Sequence, residues 1–151
     1  MTRISESLGA PAAIVQRSGS VARFWTVDQR IVVAHVVGEA TLEAAEKAMA
    51  VANAVIATGR RVYLVNDWTE VDKFEAGCRM ALVSWALKNF KHIVAGYYIA
   101  HLKILRMSLQ VARLAFPRGF NLFEDDQAFL SAFADLRAYV QRRNRISPTS
   151  R

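Results

Sequence analysis

The sequence predicts an α/β fold, a single domain on one mostly parallel sheet of four or five strands, with an antiparallel strand at the edge and four helices flanking it. Three observations point there. After an opening pair of β-branched and aromatic runs, short apolar runs alternate with segments whose apolar residues recur at steps of three and four, in the order ββαβαβαβα. One early run, Ile31–Val37, is apolar throughout except for His35, as in a strand covered on both faces. The length, 151 residues at 53% hydrophobic and 22% charged, suits one domain with a real core.

Residues 1–19 contain Gly9, Pro11, Ser18 and Gly19 without a sustained period, so they are expected to form a flexible arm. The domain proper is expected over residues 20–143, with a flexible tail over 144–151. Ser20–Val27 carries Val21, Phe24, Trp25 and Val27, and Asp28-Gln29-Arg30 separates it from Ile31–Val37, which predicts a hairpin. Thr41 can cap a helix whose stripe is Leu42, Ala45, Met49, Ala52 and Ile56 and whose stop is Gly59. Arg61–Val65 returns as a strand, which completes a βαβ unit with a right-handed crossover.

Asn66–Phe74 reads as a polar loop, and Asp72 with Glu75 as a capping box for a helix that places Ala76, Met80, Val83, Leu87 and Phe90 on one face. His92–Ile99 is a fourth strand. Leu102–Phe116 is a third helix, stopped by Pro117 and Gly119. Phe120–Phe123 is short and extended. Asp125 or Asp126 caps a last helix with Phe129, Phe133, Leu136 and Val140 on one face.

The net charge of +7 is uneven: residues 1–78 hold 8 Lys/Arg and 9 Asp/Glu, whereas residues 79–151 hold 12 and 4. The basic half favours an acidic partner, whether a protein surface, nucleic acid or an anionic membrane surface touched peripherally. Nucleic acid is not expected, because the aromatics sit at core-like helix positions rather than interleaved with the cations. No uncharged apolar run approaches the roughly 18 residues of a membrane span, and Met1–Gln16 has no signal-like core. A cytoplasmic protein is expected. Its one cysteine, Cys78, can form no internal disulfide and reads as a small buried hydrophobe rather than a reactive thiol.

No catalytic set emerges. His35, His92 and His101 have no metal-ligand spacing and no nucleophile motif beside them, and no glycine-rich phosphate loop is present, so neither enzyme chemistry nor a cofactor or metal is expected. Asp67, Glu70, Asp72 and Glu75 cluster after a parallel strand, where ligands of α/β sheets tend to bind. With Asp72 and Glu75 already used as a cap and no EF-hand spacing, what remains is a partner-recognition loop of Asp67, Trp68, Thr69 and Glu70, anchored by Trp68, or a solvated turn.

The third helix carries a second candidate surface. Lys103, Arg106, Gln110 and Arg113 share a face that has no acid. Leu105, Leu109, Ala112 and Phe116 can face the sheet, which leaves Met107, Val111 and Leu114 on a flank. That flank suits an acidic protein partner or a homodimer, unless a neighbouring helix or the N-terminal arm covers it.

The order of elements, over roughly residues 20–140, resembles the SpoIIAA-like branch of the STAS superfamily. The stretch Val65-Asn66-Asp67-Trp68-Thr69, followed by Glu75-Ala76-Gly77, is similar to that family's Asp-Leu-Ser after a strand and its Asp-Ser-x-Gly turn into a helix. The resemblance implies a non-enzymatic regulatory protein-interaction module of the anti-sigma-factor-antagonist kind. It also implies a phosphorylatable serine where this chain has Ala76, which has no hydroxyl, so the family's phosphoserine switch is not expected. A distant kinship with lipid-transfer domains of the CRAL-TRIO type implies the alternative of a small-ligand or lipid-head-group binding domain.

Overall fold

The computed structural model describes residues 4–116 and 118–146. Six strands form one sheet: β1 (Ala13–Arg17), β2 (Ser20–Val27), β3 (Ile31–Ala40), β4 (Val62–Phe74), β5 (Ile93–Ala100) and β6 (Phe120–Phe123). Four helices accompany them: α1 (Leu42–Ala57), α2 (Ala76–Asn89), α3 (Lys103–Ala115) and α4 (Asp126–Ile146). The strands lie in sequence order from β1 to β6, with β1, β2 and β3 antiparallel and β3 through β6 parallel.

Each parallel step moves in the same direction across the sheet. Right-handed crossovers that all advance one way put their helices on one face, so α1, α2 and α3 share a face. There α1 and α3 cover Ala34, Val36, Val71 and Ala100, and α1 and α2 cover Val32 and Val62. Helix α4 crosses back and buries Phe129, Phe133, Leu136 and Val140 against Val33, Val65 and Ile99 on the other. Strand β3 is therefore central, and Ile31–Val36 is buried residue by residue. Thr41 caps α1 as expected, its hydroxyl accepting the Ala44 N–H at 3.1 Å. No helix among the described residues is long and apolar enough to cross a membrane.

The ends of the chain correct the sequence expectation. Within residues 1–19, Ile4–Ser7 forms a 3-10 turn, and Ile4 and Leu8 pack into the α4-side core. The Trp25 indole N–H donates to Gly9 O at 3.1 Å, and Ala13–Arg17 pairs with β2, so the expected arm supplies the sheet's sixth strand. The physical reason is a second hairpin, turned at Gly19 with φ 74°, that shields the apolar flank of β2. Its tightness shows at Gly38, where an added Cβ would lie 2.1 Å from Gly19 O.

At the other end, α4 runs to Ile146, and Asn144 donates from Nδ2 to Asp28 O at 2.9 Å, so residues 144–146 are helix rather than tail. The remaining arm and tail residues, 1–3 and 147–151, lie outside the described residues.

Candidate functional site

The expected acidic loop is strand. β4 continues to Phe74 with an irregularity opposite His35/Val37, and this places its side chains in two layers. Asp67 is fully buried on the α4 side. Its Oδ1 accepts the Thr69 N–H at 3.1 Å and the Thr69 hydroxyl at 2.7 Å. Glu70 Oε2 lies 2.9 Å from Nε2 of buried His35, whose Nδ1 finds no partner among the described residues.

Trp68 points the other way and is half-buried. Its ring centroid is 5.6 Å from Tyr98, which stacks on Phe120 at 4.6 Å under α3. The expected loop is therefore a strand whose side chains are at least half-buried from Asp67 to Glu70. Asp67 is enclosed, whereas Trp68, Thr69 and Glu70 each keep part of their surface exposed. Nor is there a capping box: Asp72 lies in β4, and Glu75, the residue before α2, makes no side-chain cap and accepts the Leu42 N–H at 3.4 Å instead.

Helix α3 meets its expectation more closely. Leu105 and Leu109 are buried on the sheet, with Ala112 and Phe116 half-buried beside them. Ile104, Met107, Val111 and Leu114 are exposed, Leu114 at 81%. Lys103 and Arg113 are exposed and form no ion pair among the described residues. Arg106 differs, because its guanidinium pairs with Glu124 beyond the helix, so part of the cationic stripe is neutralised by a residue the helix itself does not contain.

Helix α2 reverses its expected face. Cys78, Ala81, Leu82 and Trp85 turn inward, and Met80, Val83 and Leu87 turn to solvent, Met80 at 68% exposure. Both faces are apolar, and the choice between them falls to Trp85. Its bulk packs beside Val55 and Val62, and its N–H donates to Asn53 Oδ1 of α1 at 2.9 Å. A shallow hollow of about 340 Å³ follows Arg79, Met80, Val83, Ser84 and Leu87. A second, of about 260 Å³, lies over His101, Lys103, Arg106, Met107 and Gln110.

Arg79 Nη1 of α2 reaches Ser108 Oγ of α3 at 3.4 Å. Sequence reasoning missed α2 as surface; the one signal for it was that Trp85, the helix's largest side chain, lies off the Met80–Val83–Leu87 stripe. Cys78 is held inward, where burial pushes its thiol up to about 11, far from a reactive thiolate. Among the described residues, no three His, Cys, Asp or Glu side chains converge as a metal would require.

No family model matches the chain, and no curated protein matches it. Solved structures do share its architecture. An anti-sigma factor antagonist, SpoIIAA in its unphosphorylated form, aligns at a TM-score of 0.55 with 14% identity, over 77% of this chain and 97% of that one. A protein of the DUF3478 family from Shewanella loihica, described as having a SpoIIAA-like fold, aligns at 0.54 with 19% identity, over 79% and 89%. An anti-sigma factor antagonist from Mycobacterium paratuberculosis aligns at 0.52 with 22% identity, over 83% and 97%. At these identities the likeness is one of fold, and the chain has the SpoIIAA-like fold.

Proposed function

We propose that this SpoIIAA-like domain is a regulatory protein-interaction module without catalytic activity of its own, and that it meets an acidic partner with the outer face of α2 and α3. The observation that carries the reading is the uncovered apolar band of Met80, Val83, Leu87, Ile104, Met107, Val111 and Leu114, set beside exposed Lys103 and Arg113. Solvent-facing apolar side chains on two adjacent helices are the signature of a surface that is covered part of the time. The fold shared with anti-sigma factor antagonists supports a protein as the covering body.

Binding by this chain is not gated by phosphate at the start of α2. Ala76 stands exposed as the first residue of that helix and has no acceptor oxygen. The nearby hydroxyl, Thr69, is held by Asp67, so phosphorylation there would break an existing hydrogen bond.

The test is capture of partners from the protein's own cells with wild type and with the double variant Lys103→Glu/Arg113→Glu. A partner identified by mass spectrometry should associate much more slowly with the double variant, and its association should weaken with salt. A partner bound equally by both proteins, with salt-independent kinetics, would refute the assignment of the surface. A small molecule retained by the freshly purified protein in native mass spectrometry, with no protein partner found, would refute the protein-interaction reading in favour of ligand binding.

A further inference from the structure

Resting on that reading, we infer that the element received by this face is an amphipathic helix of a different chain, with acidic residues flanking its apolar stripe, laid across the outer faces of α2 and α3. The apolar residues form two ridges, Met80, Val83 and Leu87 on α2 and Ile104, Met107, Val111 and Leu114 on α3. Their spacing of three and four residues makes one apolar stripe along each helix, the kind of surface on which the apolar face of a third helix lies.

At about 100° per residue the positions can be placed around each helix. On α3, Met107 and Leu114 lie opposite the buried Leu105 and Leu109. Ile104 and Val111 turn toward Ser108, and therefore toward Arg79 of α2. Lys103 and Arg113 turn to the far side. On α2, Met80, Val83 and Leu87 lie opposite buried Cys78, while Lys88 turns away from α3. The apolar band is thus bounded by cations on both sides, Lys88 on one and Lys103 with Arg113 on the other, with Arg79 at its centre.

Neither helix contains an Asp or Glu. A second copy is a poor occupant for that reason. A two-fold contact sets the same patch against itself, and here it would press cation against cation with no acid on either helix to offset them. An occupant with Glu or Asp on both flanks of an apolar stripe meets every one of these features.

A synthetic helical peptide of about five turns, with Leu at the i, i+3, i+4 and i+7 positions and Glu on both flanks, is the probe, read by fluorescence anisotropy. The Glu-flanked peptide should bind, and its affinity should fall on the order of tenfold from low to high salt. The same peptide with Lys flanks should bind at least tenfold more weakly, and Val111→Glu and Val83→Glu should each abolish binding while the thermal melt stays at the wild-type temperature.

The inference is overturned if the Glu-flanked peptide does not bind, or if the valine variants bind it as wild type does. It is also overturned if vesicles of mixed neutral and anionic phospholipid bind this face while the peptide does not, or if sedimentation reveals a dimer that Val111→Glu dissociates. A cellular partner whose binding ignores Val83 and Val111 leaves the protein-interaction reading standing and removes the assignment of a helix to this face. Failure to find any protein partner removes the broader reading instead.

Discussion

Leu109 and Leu114 sit on the same helix and are the same residue, yet the structure assigns them opposite energetic weights. Leu109 is 6% exposed, packed with Leu105 against Ala34, Val36 and Ala100, while Leu114 is 81% exposed. Truncating Leu109 to alanine removes three buried carbons. At about 0.8 kcal/mol per buried methylene the transfer part alone exceeds about 2 kcal/mol. The cavity left beneath a helix anchored on two leucines adds to it, so the expected loss is about 3–4 kcal/mol.

Leu114→Ala removes atoms that touch mostly water and should shift stability by no more than about 0.5 kcal/mol. Urea denaturation followed by circular dichroism measures both: the Leu109 variant should unfold at a much lower midpoint with an unchanged slope, and the Leu114 variant at the wild-type midpoint. Equal losses, or a larger loss for Leu114, would mean that α3 is rotated on the sheet. The exposed apolar band would then be core, and the case for a partner surface on α3 would fall with it.

Further outcomes follow from buried contacts elsewhere. Glu70→Ala strands buried His35 with neither ring nitrogen bonded by a side chain, and should cost about 1–3 kcal/mol in a thermal melt, whereas Glu70→Gln should keep most of that stability. Gly38→Ala sets a Cβ against Gly19 O at a positive φ of 84°, and should destabilise by about 2 kcal/mol or more, the loss appearing in the β1–β2–β3 edge by hydrogen exchange. Because burial raises the Cys78 thiol to about 11, the fold favours its neutral form. Alkylation of the native protein should therefore be very slow at neutral pH, rise about tenfold per pH unit toward pH 11, and become fast at neutral pH only in denaturant.

Much of the fold was legible because its signals are local. Thr41 before an apolar stripe marks the start of α1, and the unbroken run Ile31–Val37 marks a strand covered on both faces; neither depends on what lies across the molecule. The candidate site was less legible. On α3 the inward leucines and outward cations were readable from spacing, but Glu124, which neutralises Arg106, comes from outside the helix. On α2 two apolar faces compete, and periodicity alone has no means to rank them.

By itself the sequence determined the alternation of strands and helices, the caps at Thr41 and Asp125, the hairpin at Asp28–Arg30 and the cationic bias of the second half. All of these follow from residue spacing and backbone preference within a few turns of chain. The tertiary structure alone decided three things. Residues 13–17 became the sixth strand, because pairing with β2 needs that partner in place. Asp67, Trp68, Thr69 and Glu70 were drawn into β4 rather than left as a loop, because β3 pairs with Asp67 and Glu70 and β5 pairs with Asp67 and Trp68. And α2 turned Met80, Val83 and Leu87 outward, because Trp85 found Asn53 and the floor of the sheet. In each case the deciding contact joins elements distant along the chain, and the free energy of such a contact exists only once both are assembled.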